Sequence, residues 1–187
     1  DFVACHVTSY LRKYDVLKGI KTGGTLLLNS IWSEEETIER IPDYCKSVIA
    51  KKKIRLFIIN ATKIAAEIGL GNRTNTILQS AFFALAKVMP QEAAIGYMKD
   101  AATHSYLKKG QDVVDMNHKA IDLGATAFKK IDVPADWANA VDSDETVALE
   151  GKPELVAQVR NILDPIDRMD GDSLPVSAFM PHVDGQF

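Results

Sequence analysis

The sequence predicts an α/β fold: a partial, doubly wound parallel sheet of three strands, followed by a helical segment. Three observations carry this reading. Residues 2–5, 25–28 and 54–59 are short, continuous apolar runs rather than alternating ones. Such runs suit strands covered on both faces, as in a parallel sheet. Helical patterns separate them, which is the order of right-handed crossovers. After residue 60 the order changes, and 61–124 holds long helical patterns with no strand-like run.

Taken in order, the first strand, Phe2–Cys5, leads into a helical pattern over 8–20. That pattern turns Tyr10, Leu11, Tyr14, Leu17 and Val16 to one side and stops at Gly23-Gly24. After the second strand, Ser33-Glu34-Glu35-Glu36 forms a capping box with three acids on the first turn. Pro42 interrupts the helix behind it before 44–50. Further helices are expected at 61–68, 74–89, 91–107 and 111–130. Ile77, Leu78, Ala81, Phe82, Leu85 and Val88 form one apolar face; Val113, Asn117, Ala120, Ile121, Gly124, Ala127 and Phe128 form another. Pro90 is placed in the first turn of the third of these helices. The chain therefore divides into an α/β part, 1–133, and a part at 134–187 made of linker, short helix and the start of a further domain. The linker reading rests on Asp136, Asp142, Asp144, Glu145 and Glu150 among few large apolar residues. The tail from Leu174 onward, with two prolines and little periodicity, is expected to need a partner surface.

With 187 residues, 47% hydrophobic and 25% charged, the chain has the material for one substantial core and an appendage. A net charge of −3 and the lack of a basic, aromatic-interleaved stripe argue against nucleic-acid binding. Lys51-Lys52-Lys53 reads as a solvated helix end. No apolar run reaches the length of a membrane span. The opening Asp1-Phe2-Val3 enters a strand at once, so a fragment of a longer polypeptide is expected. Cys5 and Cys45 have neither CxxC nor metal-ligand spacing, which points to reduced thiols and a cytoplasmic setting.

Ligands of open parallel sheets bind beyond the strands' carboxyl ends. His6, Asn29 with Ser30, and Asn60 follow the three runs, so they should line one edge as a candidate crevice. The more prominent feature is Gly69-Leu70-Gly71-Asn72-Arg73, a glycine-bounded turn between helical patterns. Free backbone N–H groups, a helix dipole and a guanidinium would converge there on an anion. An ordinary helix cap is the competing reading. No catalytic constellation is visible. His6, His104, His118 and His182 are scattered, and Glu35, Glu36, Asp112 and Asp115 sit where helix starts favour acids.

Val3-Ala4-Cys5-His6, Lys13-Tyr14-Asp15-Val16-Leu17, Gly19-Ile20-Lys21, Gly23-Gly24-Thr25, Leu28-Asn29-Ser30 and Lys63-Ile64-Ala65 stand in one order before the glycine turn. With Gly171-Asp172, Leu174-Pro175-Val176-Ser177-Ala178-Phe179 and Asp184-Gly185 at the far end, the chain resembles the γ-type, Rossmann-like domain of pyruvate:ferredoxin (flavodoxin) oxidoreductase. The resemblance implies the second half of that domain and the link to the next one. It implies a whole enzyme that oxidatively decarboxylates pyruvate with coenzyme A, forming acetyl-CoA, and passes electrons to ferredoxin or flavodoxin. Thiamine diphosphate and iron–sulfur clusters would be held in other domains, and the whole enzyme would be a homodimer. This segment would bind no metal or cofactor by itself and would be inactive alone. It would help shape the coenzyme A site through Gly71, Asn72, Arg73 and Asn29. A purely structural packing module is the alternative. A dehydrogenase's nucleotide-binding domain is disfavoured, because no glycine-rich turn follows the first strand.

Overall fold

A computed structural model describes residues 1–141 and 148–182. Strands β1 (Phe2–Cys5), β2 (Thr25–Asn29) and β3 (Arg55–Ile59) are parallel neighbours, as their unbroken apolar runs require. Ala4 stands opposite Leu27, and Leu27 opposite Phe57. The sheet has a fourth strand, β4 (Lys129–Ile131), antiparallel to β3, so the order is β1-β2-β3-β4. The expected count of three is corrected by one. The helix expected over 111–130 would include Lys129 and Lys130, yet they lie in β4, which covers what would have been an open edge of β3. Exposed Lys129 and Lys130 on β4 discourage pairing with a further chain.

The pleat sends alternate residues to two cores. Leu26, Leu28, Leu56 and Ile58 pack with Leu11, Leu17, Ile41, Cys45 and Ile49 on one face. These come from helix α1 (Tyr10–Lys13), the loop after it, α2 (Glu34–Arg40) with its connection, and α3 (Asp43–Lys51). Leu27 and Ile59 face the other core with Ala61, Ala65, Ile77, Leu78, Ala81, Leu85 and Ala120. That layer holds α4 (Ala61–Glu67), α5 (Asn75–Ala86) and α7 (Gln111–Gly124), with α6 (Gln91–Tyr106) against α5 and α7. Beyond these, α8 (Pro153–Gln158), a π-helical turn at Val159–Leu163 and α9 (Asp164–Asp167) pack mainly on one another.

Several helix ends differ from expectation, each for a local reason. The helix expected over 8–20 is only one turn, α1, because Tyr14 turns extended and Asp15 Oδ1 accepts the Leu17 N–H. Leu11, Leu17 and Ile20 are buried regardless, while Tyr10 is exposed. α5 stops at Ala86, where Lys87 adopts a left-handed φ of 53°, and Val88 is left exposed. Pro90 is an N-cap rather than a first-turn residue. α7 stops at Gly124, and Phe128 instead sets its ring edge-on to Phe57 with centroids 5.7 Å apart. Phe82 is half-buried rather than buried, stacked edge-on with Phe2 at 5.1 Å. Trp137, assigned to the linker, is buried among the first core's side chains.

Other features follow the sequence. The Ser33–Glu36 capping box is complete: Ser33 Oγ accepts the Glu36 N–H, and Glu36 accepts the Ser33 N–H. Pro42 separates α2 from α3. Cys5 and Cys45 are buried, unbridged thiols, and burial pushes the Cys5 thiol up. The linker acids Asp142, Asp144 and Glu145, and the Asp184-Gly185 pair, lie outside the described residues.

Candidate functional site

The turn between α4 and α5 is a Schellman motif. Leu70 N–H donates to Ala65 O at 2.8 Å and Gly69 N–H to Ala66 O at 3.3 Å. Gly69 and Gly71 have φ of +85° and +60°, which side-chain-bearing residues rarely adopt. Leu70 is buried and anchors the turn, while Gly71, Asn72 and Arg73 are exposed. A Cβ on Gly69 would approach Met116 Sδ to 3.0 Å, so α7 backs the turn. Arg73 donates both its backbone N–H, at 3.2 Å, and its side-chain Nε–H, at 3.1 Å, to Leu70 O. One edge of the guanidinium thus braces the turn. Its Nη groups have no ion-pair or hydrogen-bond partner among the described residues.

Thr74 is the N-cap of α5, but its side chain accepts no capping hydrogen bond. The first-turn N–H groups of a twelve-residue helix therefore begin two residues beyond Arg73, with no side-chain cap from Thr74. The C-terminal cap of α4 that competed with the anion reading is present, while the start of α5 lacks a side-chain cap from Thr74. The two readings coexist: α4 is capped and α5 is not.

His6, Asn29, Ser30 and Asn60 do follow parallel strands at one edge of the sheet. Their polar atoms are largely engaged within the chain. Asn29 Nδ2 donates to His6 O at 3.1 Å and Asn29 Oδ1 accepts Ala61 N–H at 3.0 Å. Asn60 caps α4 by accepting Lys63 N–H at 2.9 Å, and Ser30 Oγ accepts Trp32 N–H at 3.0 Å. Asn29 therefore ties β1 to the start of α4. No hydrogen bond among the described residues joins it to Gly71, Asn72 or Arg73.

A cavity of about 310 Å³ opens at this edge, lined by Trp32, Glu34, Glu35, Asn60 and Lys129 among others. The sequence had assigned Glu34 and Glu35 to capping alone. In the structure Glu34 also pairs with Lys129 at 3.1 Å. Hydrogen bonds from its own backbone and from Ser33 hold the Glu35 carboxyl below the usual range. A second cavity, about 320 Å³, lies between α5 and α6 and is floored by Thr76, Ala94 and Ala102. Phe83, Met89, Tyr97 and Tyr106 also line it. The helical faces read from the sequence included none of these residues, and periodicity along single helices could not find the gap between two of them. No group of three His, Cys, Asp or Glu able to hold a metal ion converges among the described residues. No helix among them is long and apolar enough to cross a membrane.

Comparison with known proteins places this geometry in context. The family model for pyruvate ferredoxin/flavodoxin oxidoreductase matches residues 1–127, and a domain of unknown function termed EKR matches 143–187. Over all 187 residues the chain is 47% identical to the pyruvate:ferredoxin oxidoreductase of Moorella thermoacetica. It is 43% identical to the pyruvate-flavodoxin oxidoreductase of Enterobacter agglomerans, again over its full length. It spans 16% of the length of each. The crystal structure of pyruvate oxidoreductase subunit PORC from Thermotoga maritima shares the fold, with a TM-score of 0.51 and 21% identity. That match covers 69% of this chain and 64% of that one. The chain thus belongs to the pyruvate ferredoxin/flavodoxin oxidoreductase family.

Proposed function

We propose that this chain is an accessory α/β segment of a pyruvate:ferredoxin or pyruvate:flavodoxin oxidoreductase. The whole enzyme would oxidatively decarboxylate pyruvate with coenzyme A and pass the electrons to ferredoxin or flavodoxin. Thiamine diphosphate and the iron–sulfur clusters would be held elsewhere in that polypeptide, whose other domains are this segment's immediate partners. The whole enzyme would be a homodimer, and the segment alone would not turn over pyruvate. Residues 1–133 would form the second half of the γ-type domain, and 134–187 the passage to the next domain.

Within this role, Arg73, Asn72 and the Gly71 backbone contact a phosphate of coenzyme A, with Asn29 holding the neighbouring sheet edge in place. The observation that carries the reading is the α4–α5 turn: two positive-φ glycines, a helix start without a side-chain cap from Thr74, and an exposed guanidinium whose Nη groups have no partner among the described residues. A guanidinium fork matches phosphate oxygens, and a helix N-terminus favours the anion's charge. The structural alternative rests on the Arg73 Nε–H bond to Leu70 O, which makes the same side chain a brace.

Arg73→Ala in the intact enzyme tests the choice. Losing one charge-assisted contact should raise the KM for coenzyme A roughly tenfold to a hundredfold, with pyruvate KM and Tm little changed. A lowered Tm with unchanged coenzyme A dependence would make Arg73 a brace and this segment a packing module.

A further inference from the structure

A third cavity, about 360 Å³, lies where the strand-bearing part meets the C-terminal segment. Arg12, Lys13 and Lys18 line it from the α1 region, and Arg168 lines it from just beyond α9. Against these four cations the lining holds two carboxylates, Asp15 and Asp170. Both carboxylates are already engaged. Asp15 accepts the Tyr44 hydroxyl and the Leu17 N–H, and Asp170 pairs with Lys18 at 2.9 Å. Lys13 finds its counter-charge at the rim, in Asp167 at 3.8 Å.

The two guanidiniums are left over. Among the described residues the Arg12 side chain donates only to a backbone carbonyl, Arg40 O, at 3.4 Å. The Arg168 side chain has no ion pair or hydrogen bond among the described residues. Two like charges lining one cavity, one from each part of the chain, repel unless an anion lies between them. Guanidinium forks present paired N–H donors that match tetrahedral oxyanions, and two of them suit a doubly charged one. The lysines could not do this as well, because each is held by an aspartate.

We propose that this cavity binds a phosphate dianion, free or as the phosphoryl group of a larger ligand, between Arg12 and Arg168. The bound anion would fasten the C-terminal segment to the strand-bearing part, which otherwise meet here through the exposed pairs Lys13–Asp167 and Lys18–Asp170. This goes beyond the coenzyme A reading of Arg73 and does not depend on it.

The test titrates the full chain with sodium phosphate against sodium chloride at matched ionic strength, following Tm and heat of binding. A dianion that binds only the folded state raises Tm in a saturable way. Arg168→Gln and Arg12→Gln should each weaken phosphate binding roughly tenfold or more, without lowering Tm in chloride. Arg168→Lys should restore part of the affinity. In an Arg73→Ala background, which removes the guanidinium contact at the α4–α5 turn, Arg168→Gln should still weaken phosphate binding roughly tenfold, which separates the two sites. Adenosine 3′,5′-bisphosphate forms a second arm. A response to inorganic phosphate supports a free anion, and a response to the bisphosphate alone supports a nucleotide-borne phosphate. No saturable response to either ligand overturns the proposal. So does an undiminished response in Arg168→Gln, which is at an exposed position and decides the matter should Arg12→Gln fail to fold.

Discussion

Replacing Gly124 by alanine measures how closely α7 lies on α5. A Cβ at Gly124 would stand 2.3 Å from the Ile77 carbonyl oxygen and 2.9 Å from Ser80 Cβ. Carbon contacts are optimal only near about 3.5–4.0 Å, so the two helices would have to part by about 1 Å at the crossing. A gap of that size forfeits roughly a quarter to a half of the dispersion well for each contact along the seam. It also stretches the buried hydrogen bond from Ser80 Oγ to Ile121 O, now 2.6 Å. Overpacking costs about 1–3 kcal/mol, and a weakened buried hydrogen bond adds up to about 1 kcal/mol. Alanine's better helix propensity returns less than its usual value of about 1 kcal/mol, because Gly124 is the last residue of α7. With the last two terms roughly cancelling, the expected net loss is about 1–3 kcal/mol. Gly96, inside α6, is the control, since its Cβ would meet nothing within 4 Å. Gly96→Ala should therefore stabilise by up to about 1 kcal/mol. Urea unfolding of the two variants reads both signs. A Gly124→Ala midpoint at or above that of the parent chain, or shifts of the same sign in both variants, would refute the close crossing.

Phe82→Ala should cost about 2 kcal/mol in the same assay, near half the roughly 3–5 kcal/mol of a fully buried phenylalanine, because its ring is half-buried against Phe2 and Phe83. A cost near zero would mean that the aromatic cluster contributes nothing. Stability should also fall in alkali. Burial pushes the Cys5 thiol up, and burial with the Asp15 hydrogen bond pushes the Tyr44 phenol up. Both groups prefer the neutral form when folded, so their contribution is whole at neutral pH. It is lost as pH climbs past the ordinary thiol and phenol values, about 8.5 and 10. A urea midpoint that stays flat or rises between about pH 8 and 10.5 would contradict this. In the native chain both buried cysteines should resist alkylation, and non-reducing mass spectrometry should show no loss of two hydrogens.

What the sequence determined by itself was whatever depends on near neighbours along the chain. The apolar runs of β1, β2 and β3 marked parallel strands, and Ser33 with Glu36 marked a capping box. Gly69 and Gly71 marked a turn that needs positive φ. Each is a pattern of a few residues whose physics is local. The order of short motifs pointed likewise to the family, and the matches over 1–127 and over the full chain agree. The tertiary structure decided what depends on meeting a distant partner. Residues 129–130 read as helix until β3 offered them an edge, and Trp137 read as linker until the α3 face offered it a core. Asn29 looked available at a sheet edge, and only the fold brought His6 O and Ala61 N–H to its two amide ends. Arg12 and Arg168 are 156 positions apart, and no periodicity could bring two unpaired guanidiniums to one cavity. Local propensity is encoded residue by residue, whereas burial, charge balance and hydrogen-bond satisfaction belong to pairs that exist only once the chain has folded.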